Sequence, residues 1–232
     1  MKSLKLLFIL TLVSIVSLAQ DNDAGLWTSY KVQSDFTKKL SWSLAPEVRF
    51  QNNITEVGSY FVDAGLDYSL PGPWSVSLTY RTGYRNRNNY FSYRQRAQFG
   101  ISYKIKFEWG DISLATRYQG NLEDSRSDRD ADFVTTWRNK VSIKYDAIKK
   151  WELGLSYEFF HSKGNNYRLE WSDWRCTASV ERKINKRNFI SLGYLVQQNL
   201  TSSVPQFDYI IVASYKHKLK KRKRTTSLRR NN

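Results

Sequence analysis

Charged side chains recur at every second position along several long segments of the chain. Between positions 47 and 50, for example, Glu47 and Arg49 alternate with Val48 and Phe50. This spacing places charges on one face of an extended strand and apolar residues on the other. The charged residues predicted to share such a face are Glu47, Arg49, Asp63, Asp67, Arg81, Arg85, Arg94, Arg96, Arg117, Arg138, Lys140, Glu152, Glu158, Asp173, Arg175 and Glu181. Because both signs occur, they could form ion pairs in a narrow interior, and because positive charges are in excess, they could instead line an anion-preferring pore.

The two histidines of the chain are His161 and His217, and Ser162 follows the first of them. A serine beside a histidine is the pair used by many hydrolases, which makes a lipid-modifying enzyme one hypothesis. Adjacent residues of a strand point to opposite faces, however, so His161 and Ser162 would be separated by the sheet itself. The sequence therefore favours a protein that is not an enzyme, and no catalytic residue is assigned.

A cluster of carboxylates occupies the segment from 121 to 132. Its members are Glu123, Asp124, Asp128, Asp130 and Asp132. Closely spaced carboxylates suit Ca²⁺, but this segment lacks the central glycine and the final glutamate of a calcium-binding loop. Two arginines within the segment also oppose a cation. We expect a solvated loop, with no metal and no other cofactor.

The first 19 residues have the pattern of a cleavable signal for export. Lys2 and Lys5 precede an apolar run from 6 to 16, and small residues end the run at Ala19. The pattern predicts cleavage after Ala19 and export across the inner membrane. Cys176 is the single cysteine, so no disulfide within the chain is expected.

The formal net charge of +16 is concentrated at the two ends of the chain. Two positive charges lie in the signal segment and nine lie between Lys216 and Arg230, which leaves about +5 for the rest. We expect residues 220–232 to form a basic, disordered periplasmic tail. On an exported protein, such a tail suits anionic lipid or a cell-wall polymer as a partner rather than nucleic acid.

Ten segments alternate apolar and polar residues over about 9–14 positions, the length of transmembrane strands, and a shorter segment lies at 26–33. Strands of soluble proteins are usually about 5–6 residues long. More polar and mostly longer connections, which alternate with short turns, lie at 52–56, 86–90, 121–132, 162–170 and 199–205. These features predict an all-β, transmembrane, antiparallel up-and-down β-barrel of 10–12 strands over residues 20–219. The alternative is a soluble, secreted β-sandwich.

The count of eleven segments raises a difficulty, because bacterial single-chain barrels have an even number of strands. Either the segment at 26–33 lies outside the closed ring, or the pattern hides one further strand. With an even number, both termini of the chain would lie at the periplasmic end of the barrel.

Aromatic residues cluster near both ends of the predicted strands. Outer-membrane barrels carry aromatic girdles at the two membrane–water interfaces. The predicted girdle comprises Trp42, Trp74, Trp109, Tyr145, Trp151, Phe50, Tyr84, Phe91, Tyr118, Phe159 and Trp174.

Four stretches of the chain resemble a known family. They are "LWTSYKV" (26–32), "LAPEVRF" (44–50), "YRTGYR" (80–85) and "YRQRAQFGISY" (93–103). They are similar to the family called domain of unknown function 2490, a group of predicted outer-membrane β-barrels. The resemblance implies a barrel in the outer membrane of a Gram-negative cell, and it implies no activity and no site residue.

The expected partners follow from this address. They are the lipid bilayer with its lipopolysaccharide and the insertion machinery, which would read the terminal strand "SYKHKL" (214–219). We expect either a structural or binding barrel or a small anion-preferring pore with a charged lumen.

Overall fold

The computed structural model describes residues 23–87, 90–124, 132–163, 169–201 and 206–220. They form strands β1 (Asp23–Asp35), β2 (Leu40–Gln51), β3 (Glu56–Ser69), β4 (Trp74–Arg87), β5 (Tyr90–Phe107), β6 (Gly110–Glu123), β7 (Asp132–Ile148), β8 (Trp151–Lys163), β9 (Leu169–Lys183), β10 (Asn188–Asn199) and β11 (Gln206–Lys218). Within these described ranges, no helix is long and apolar enough to cross a membrane.

The strands close into a single barrel. Each strand pairs with its neighbour in sequence in antiparallel register, from β1 with β2 to β10 with β11. The ring closes between β1 and β11, which pair in parallel from Asp23 opposite Asp208 to Gln33 opposite Lys218. The predicted all-β barrel of 10–12 strands is therefore confirmed, with the difference that its closing pair is parallel.

The odd strand number arises because the segment at 26–33 is part of β1 and belongs to the ring. Both explanations considered for the odd count are wrong, since this segment is not outside the ring and the described residues contain no twelfth strand. After eleven passes the chain leaves the barrel at the end opposite to the one where it entered. The prediction that both termini share the periplasmic end is wrong for the same reason.

The two ends of the barrel differ in their connections. The short-turn end carries the end of β11 and the turns at 36–39, 70–73, 108–109, 149–150 and 184–187. The long-loop end carries the start of β1 and the connections at 52–55, 88–89, 124–131, 164–168 and 200–205.

Two connections of the long-loop end, predicted at 52–56 and 86–90, are shorter than predicted. Only residues 88–89 separate β4 from β5, because the ladder continues until Arg87 lies opposite Tyr90. The connection between β2 and β3 is also reduced to residues 52–55. The difference between the two ends therefore rests on the three remaining connections of the long-loop end.

The turn between β2 and β3 is attached to the start of β1. Asn52, Asn53 and Ile54 all have positive φ angles, of 52°, 55° and 67°. This conformation is costly for a β-branched residue. The amide of Asn53 donates to Asp23 Oδ1 at 2.8 Å and that of Ile54 donates to the Ala24 carbonyl at 3.0 Å. These two hydrogen bonds offset the cost and hold the first residues of β1 in place.

Apolar side chains are more exposed on the outside of the barrel than within it. Leu114, Leu155 and Leu192 on the outer face are 50%, 53% and 53% exposed, whereas Phe160 and Ile210 inside are 5% and 4% exposed. So extensive an exposed apolar surface marks a face that contacts another apolar phase. The polar residues line the interior, where they build the site described below.

Aromatic pairs occur on the outer face near both ends. Near the short-turn end the rings of Trp74 and Tyr103 are 4.7 Å apart, and near the long-loop end those of Tyr60 and Tyr84 are 5.4 Å apart. Phe50, a predicted girdle residue, follows a β-bulge and also borders the interior cavity. The role of these residues as a membrane girdle stays a prediction.

Candidate functional site

Arginine and aromatic side chains form a connected series of contacts at one level of the barrel interior. In one half, the guanidinium of Arg49 lies 3.6 Å from the ring centre of Trp27 and 4.9 Å from that of Phe61. The guanidinium of Arg81 lies 3.4 Å from the same Phe61 ring. These separations fall within the range of cation–π attraction, which strengthens when the cation is removed from water.

In the other half, two further arginines lie against a second phenylalanine ring, and one of them also lies near Trp27. Arg175 lies 5.3 Å from the Trp27 ring and 4.6 Å from the Phe160 ring, and Arg138 lies 4.7 Å from the Phe160 ring. We call the whole series the cation–aromatic belt. Its members are Trp27, Arg49, Phe61, Arg81, Arg138, Phe160 and Arg175.

Carboxylates neutralise much of the belt. Arg81 donates two hydrogen bonds of 2.7 Å to the carboxylate of Asp63. Arg138 donates from Nη2 to both oxygens of Glu158 at 2.9 Å. Such two-point contacts fix the plane of the guanidinium as well as neutralise it. Arg81 and Arg138 are thereby held close to the rings of Phe61 and Phe160.

One glycine allows the belt to form. Gly83 lies directly opposite Phe61 across strands β3 and β4. A Cβ atom at position 83 would lie 2.4 Å from the Phe61 Cβ and 2.3 Å from the Tyr60 carbonyl oxygen. Phe61 can therefore lie against β4 only because position 83 has no side chain.

A cavity of about 620 Å³ lies between the belt and the long-loop end. Its lining comes from the belt itself and from the strand segments that continue toward that end, so the belt forms its floor. We call this cavity the chamber. The arginines that line it are Arg49, Arg81, Arg85, Arg87, Arg94, Arg96, Arg138 and Arg175, against the carboxylates Asp23, Glu123, Asp173 and Asp208.

One side of the chamber, on β4 and β5, has more positive charge than its neighbours neutralise. We call Arg85, Arg87, Arg94 and Arg96 the arginine wall. Three of them share the single carboxylate of Glu123, with N–O distances of 2.9 Å for Arg87, 3.9 Å for Arg94 and 4.0 Å for Arg85. Only the contact with Arg87 is also a hydrogen bond.

The inner part of the arginine wall has a neutral acceptor in place of a carboxylate. Arg96 Nε donates to the amide oxygen of Asn121 at 2.6 Å, and Arg94 Nη2 lies 3.5 Å from the same oxygen. Arg96 also lies directly opposite Arg81 in the β4–β5 ladder. Among the described residues no carboxylate forms an ion pair with Arg96, and the buried Nε of Arg94 has no hydrogen-bond partner.

The opposite side of the chamber carries three aspartates, Asp23, Asp173 and Asp208, which we call the aspartate wall. Asp23 and Asp208 lie directly opposite each other where β1 meets β11. Arg175 lies nearby but donates to Gln197 at 2.5 Å, and Gln197 Nε2 is 3.4 Å from Asp208. Within the described part of the chain, none of the three aspartates forms an ion pair with a lysine or arginine.

The interior below the belt, toward the short-turn end, uses lysine in ion pairs. These pairs are Lys144 with Glu152 at 2.5 Å, Lys216 with Glu181 at 3.0 Å and Lys104 with Asp111 at 3.6 Å. Each inward lysine of these pairs therefore has its own carboxylate.

The structure places the sixteen predicted inward charges as follows. Those that line the chamber are Arg49, Arg81, Arg85, Arg94, Arg96, Arg138, Asp173 and Arg175. Those in ion pairs with inward cations or anions are Glu47, Asp63, Arg117, Glu152, Glu158 and Glu181. The charges of Asp67 and Lys140 act on Arg117 and Glu158 respectively. The prediction of a shared face did not separate the chamber from the lysine-paired half.

His161 and Ser162 are not brought together. The His161 ring lies on the outer face, 4.1 Å from the ring of Trp171. The Ser162 hydroxyl lies inside, 2.9 Å from the hydroxyl of Ser172, and borders the chamber. His217 belongs to β11 near the short-turn end. A dyad of the kind considered from the sequence would need both groups on one face.

The acidic cluster at 121–132 is only partly described. Glu123 ends β6 and points into the chamber, and the amide of Asp124 donates to the Tyr93 carbonyl at 2.9 Å. Residues 125–131, with Asp128 and Asp130, lie outside the described residues. No group of three metal-ligating side chains occurs in the described ranges.

Sequence reasoning missed the aromatic and aspartate components of the site. Phe61 and Phe160 were not assigned to a face, although each is two residues from an inward carboxylate, Asp63 or Glu158. The same period-two rule would have turned both rings inward. Asp23 could not be placed, because the pairing of β1 with β11 is not visible in either strand alone.

The family described as "Protein of unknown function (DUF2490)" matches residues 24–208. The chain belongs to this family. The match covers all of the barrel except Asp23 and most of β11, so the belt and all of the chamber lining except Asp23 and Ile210 lie within the DUF2490 region. No curated protein matches the chain.

Solved structures similar to this DUF2490 barrel include two outer-membrane proteins. The anion-selective porin from Comamonas acidovorans has a TM-score of 0.38 and 14% identity, over 76% of this chain and 55% of the porin. The chain thus spans about half the length of that porin. OmpTdeltaL8, a loop L8 deletion mutant of the Vibrio cholerae outer membrane protein OmpT, has a TM-score of 0.37 and 10% identity, over 84% of this chain and 97% of the other.

Proposed function

We propose that this protein is an outer-membrane β-barrel that binds small charged solutes in the chamber and does not act as an open channel. The observation that carries the proposal is the cation–aromatic belt, whose seven large side chains contact one another in the interior and form the floor of the chamber. A solute entering from the long-loop end would meet the arginine wall first and the belt last. Binding without passage is what such a closed cavity supports.

The membrane location is supported by the surface of the barrel. Closure removes strand edges, which have no hydrogen-bond partners in a bilayer. The outer face exposes leucines and paired aromatic rings, and the charged residues are turned inward. An odd number of strands is unusual for bacterial barrels but occurs in a mitochondrial outer-membrane barrel. The bilayer with its lipopolysaccharide and the insertion machinery are the partners that this location implies.

The proposed role is not enzymatic. The separation of His161 from Ser162 across the barrel wall supports this, since general-base activation of a serine needs hydrogen-bond contact with the histidine. The basic tail from 221 onward lies outside the described residues. Its binding to anionic lipid or to the cell wall stays a prediction.

A second candidate function is a small anion-preferring pore. It is favoured by one observation, the excess of arginine over carboxylate in the chamber lining. Conduction would require the belt to open, whereas binding would not. An intact belt is therefore compatible with the binding barrel but not with the pore.

Two measurements test the proposed function. The first is fractionation: we expect the protein in the outer-membrane fraction, with a shift in gel mobility on heating, and recovery in the soluble periplasm would refute a membrane barrel. The second is planar-bilayer recording, in which we expect no discrete conductance steps from the wild type and steps from a variant in which Trp27→Ala and Phe160→Ala remove two of the three belt rings.

The same recording separates the two candidates. Discrete steps from the wild type, with a reversal potential that indicates anion preference, would replace the binding barrel by the pore. In that case, changing Arg94 and Arg96 to glutamate should reverse the preference toward cations, because the charge of the arginine wall changes sign.

A further inference from the structure

The chamber carries opposite charges on opposite walls, and among the described residues each wall has fewer ion-pair partners than charges. We infer that the chamber binds a small, soluble zwitterion, with a phosphate group on the arginine wall and an ammonium group on the aspartate wall. This inference rests on the proposed function in one respect, namely that the chamber is reached from the long-loop end.

The arginine wall lacks an anion. Glu123 is shared by three arginines, and among the described residues the hydrogen-bond acceptor of Arg96 is the neutral Asn121 oxygen. Arg96 also lies opposite Arg81, a like-charge pairing that destabilises a sheet. Buried cations are normally paired. The arginine wall therefore has the composition of a binding site for an anionic ligand.

A phosphate group fits this wall better than a single carboxylate. Arg94 and Arg96 are two residues apart on β5, so their guanidinium groups lie side by side on the same face. A guanidinium presents a planar fork of donors, and two adjacent forks can donate to different oxygens of one tetrahedral dianion. Arg85 and Arg87 add positive charge nearer the opening.

Within the described ranges, the aspartate wall forms no ion pair with a cation, although Arg175 lies nearby. Asp23 and Asp208 lie side by side on paired strands, and Asp173 lines the same side of the chamber. Carboxylates are acceptors only, so their ligand must donate hydrogen bonds, as ammonium and hydroxyl groups do. A metal ion is a poor alternative, because the described residues include no group of three ligands close enough to hold one.

The two walls cannot neutralise each other. The arginine wall lies on β4 and β5 and the aspartate wall on β9, β11 and β1, which is about half-way round the ring of eleven strands. A cavity of about 620 Å³ separates them, a size typical of sites for small organic ligands. One simple ion would satisfy one wall only, whereas a molecule with both charges satisfies both.

The ligand is soluble rather than the headgroup of a membrane lipid. The chamber is enclosed by the barrel wall, and its large apolar side chains include Trp27, Phe61 and Phe160, whose rings lie against guanidinium groups. An acyl chain would have little apolar surface to contact there.

Three related probes test both walls with the full-length protein in detergent micelles. Glucosamine 6-phosphate carries both charges, glucose 6-phosphate carries the phosphate alone, and glucosamine carries the ammonium alone. By calorimetry in phosphate-free buffer, we expect glucosamine 6-phosphate to bind at least about tenfold more tightly than glucose 6-phosphate, since its ammonium group adds charged hydrogen bonds to the aspartate wall. Glucosamine alone should bind most weakly.

Two variants assign the ends of the ligand. Arg96→Gln should weaken both phosphorylated probes by about tenfold or more. Asp208→Asn should weaken glucosamine 6-phosphate and leave glucose 6-phosphate unchanged. Arg182→Gln is the matched control, because Arg182 lies beside Trp151 near the short-turn end and makes the same change of charge outside the chamber. The gel-mobility shift on heating verifies that each variant is folded.

The outcomes separate this inference from the proposed function. Equal binding of the two phosphorylated probes, or an equal effect of Asp208→Asn on both, would overturn the zwitterion and leave an anion-binding chamber in place. If neither phosphorylated probe binds the folded protein, both are overturned. Binding of all three probes that Arg96→Gln does not weaken would also overturn the inference, because the ligand would then lie elsewhere.

Discussion

The two halves of the barrel interior neutralise their charges in different ways. Below the belt, three lysines each pair with one carboxylate, and serine hydroxyls pack against glycines, as Ser77 Oγ does against Gly100 and Ser179 Oγ against Gly154. Above the belt, arginines replace lysines, large rings replace serines and the charges remain unbalanced within each wall. The same alternating strands build both halves.

The difference teaches which half is structural and which is a site. Below the belt, the three ion-paired lysines Lys104, Lys144 and Lys216 follow the rule that buried charges are paired. A half that breaks this rule on two walls gains stability only from something that binds there. Departures of this kind are expected at functional sites.

The largest effect concerns the two ends of the barrel. An epitope tag placed directly before Asp23 and one placed after Leu219 should lie on opposite sides of the membrane, because the chain enters β1 and leaves β11 at opposite ends. Antibody labelling of intact and permeabilised cells measures this. A tag in the 70–73 turn is the control and should label with the C-terminal tag. Labelling of both terminal tags from one side would contradict the parallel seam.

Removing a carboxylate that pairs with a belt arginine should lower the free energy of unfolding more than removing one that pairs with a lysine below the belt. Glu158 is 6% exposed and neutralises Arg138, with Arg117 3.7 Å away. Glu158→Gln should destabilise the barrel by about 3–5 kcal/mol, since it leaves buried cations without a partner. Urea unfolding in lipid vesicles, followed by tryptophan fluorescence, measures this.

The matched control for Glu158 is Glu181→Gln. The Glu181 side chain is 26% exposed beside Lys216, so its loss should cost about 1 kcal/mol or less. Equal losses from the two variants would show that the two halves do not differ in the way described.

A smaller effect is expected from closing the space under Phe61. Gly83→Ala should destabilise the barrel by about 1–3 kcal/mol, because the new methyl group would overlap Phe61 and the Tyr60 carbonyl. Gly154→Ala is the control in the other half, where the contact at 2.7 Å is a Ser179 hydroxyl that can rotate away. The same unfolding measurement should rank Gly83→Ala as the more damaging change, and the reverse ranking would refute the packing argument.

The smallest expected effect is a gain in stability rather than a loss. Without ligand, Arg96→Gln should stabilise the barrel by about 0.2–1 kcal/mol, because it removes a like charge opposite Arg81. Lys144→Gln, which removes a cation paired with Glu152, should not stabilise it. A loss of stability in Arg96→Gln would indicate that the arginine wall is already neutralised in the empty protein.

Period-two alternation predicted the strands and the inward face, because it depends only on neighbouring residues along one strand. Arg94 and Arg96, for example, could be assigned to one face from their spacing on β5. The closure of the ring could not be predicted, since it depends on β1 meeting β11 with 184 or more residues of chain between their paired positions. For the same reason Asp23 and Asp208 could not be placed beside each other.

The belt depends on contacts across several strands. Arg49 reaches Phe61 on the next strand, and Arg175 reaches Trp27 from β9 past two intervening strands. Strand pairing brings such residues to the same level only after the registers of all strands are set. A sequence pattern predicts which face of the strand each residue occupies, but it does not predict the residue's position along the barrel axis.

The parallel seam has a consequence for how the barrel is assembled. In a ring of even strand number, every strand can enter a membrane as part of a hairpin, with both ends of the hairpin remaining on the side of origin. Here one strand is left without a hairpin partner, so one free end of the chain must be carried across the bilayer. Pairing of β1 with β11 also joins the most distant parts of the chain, which makes it the contact with the largest entropic cost of loop closure. Formation of this seam is therefore expected to be the slow and final step of folding.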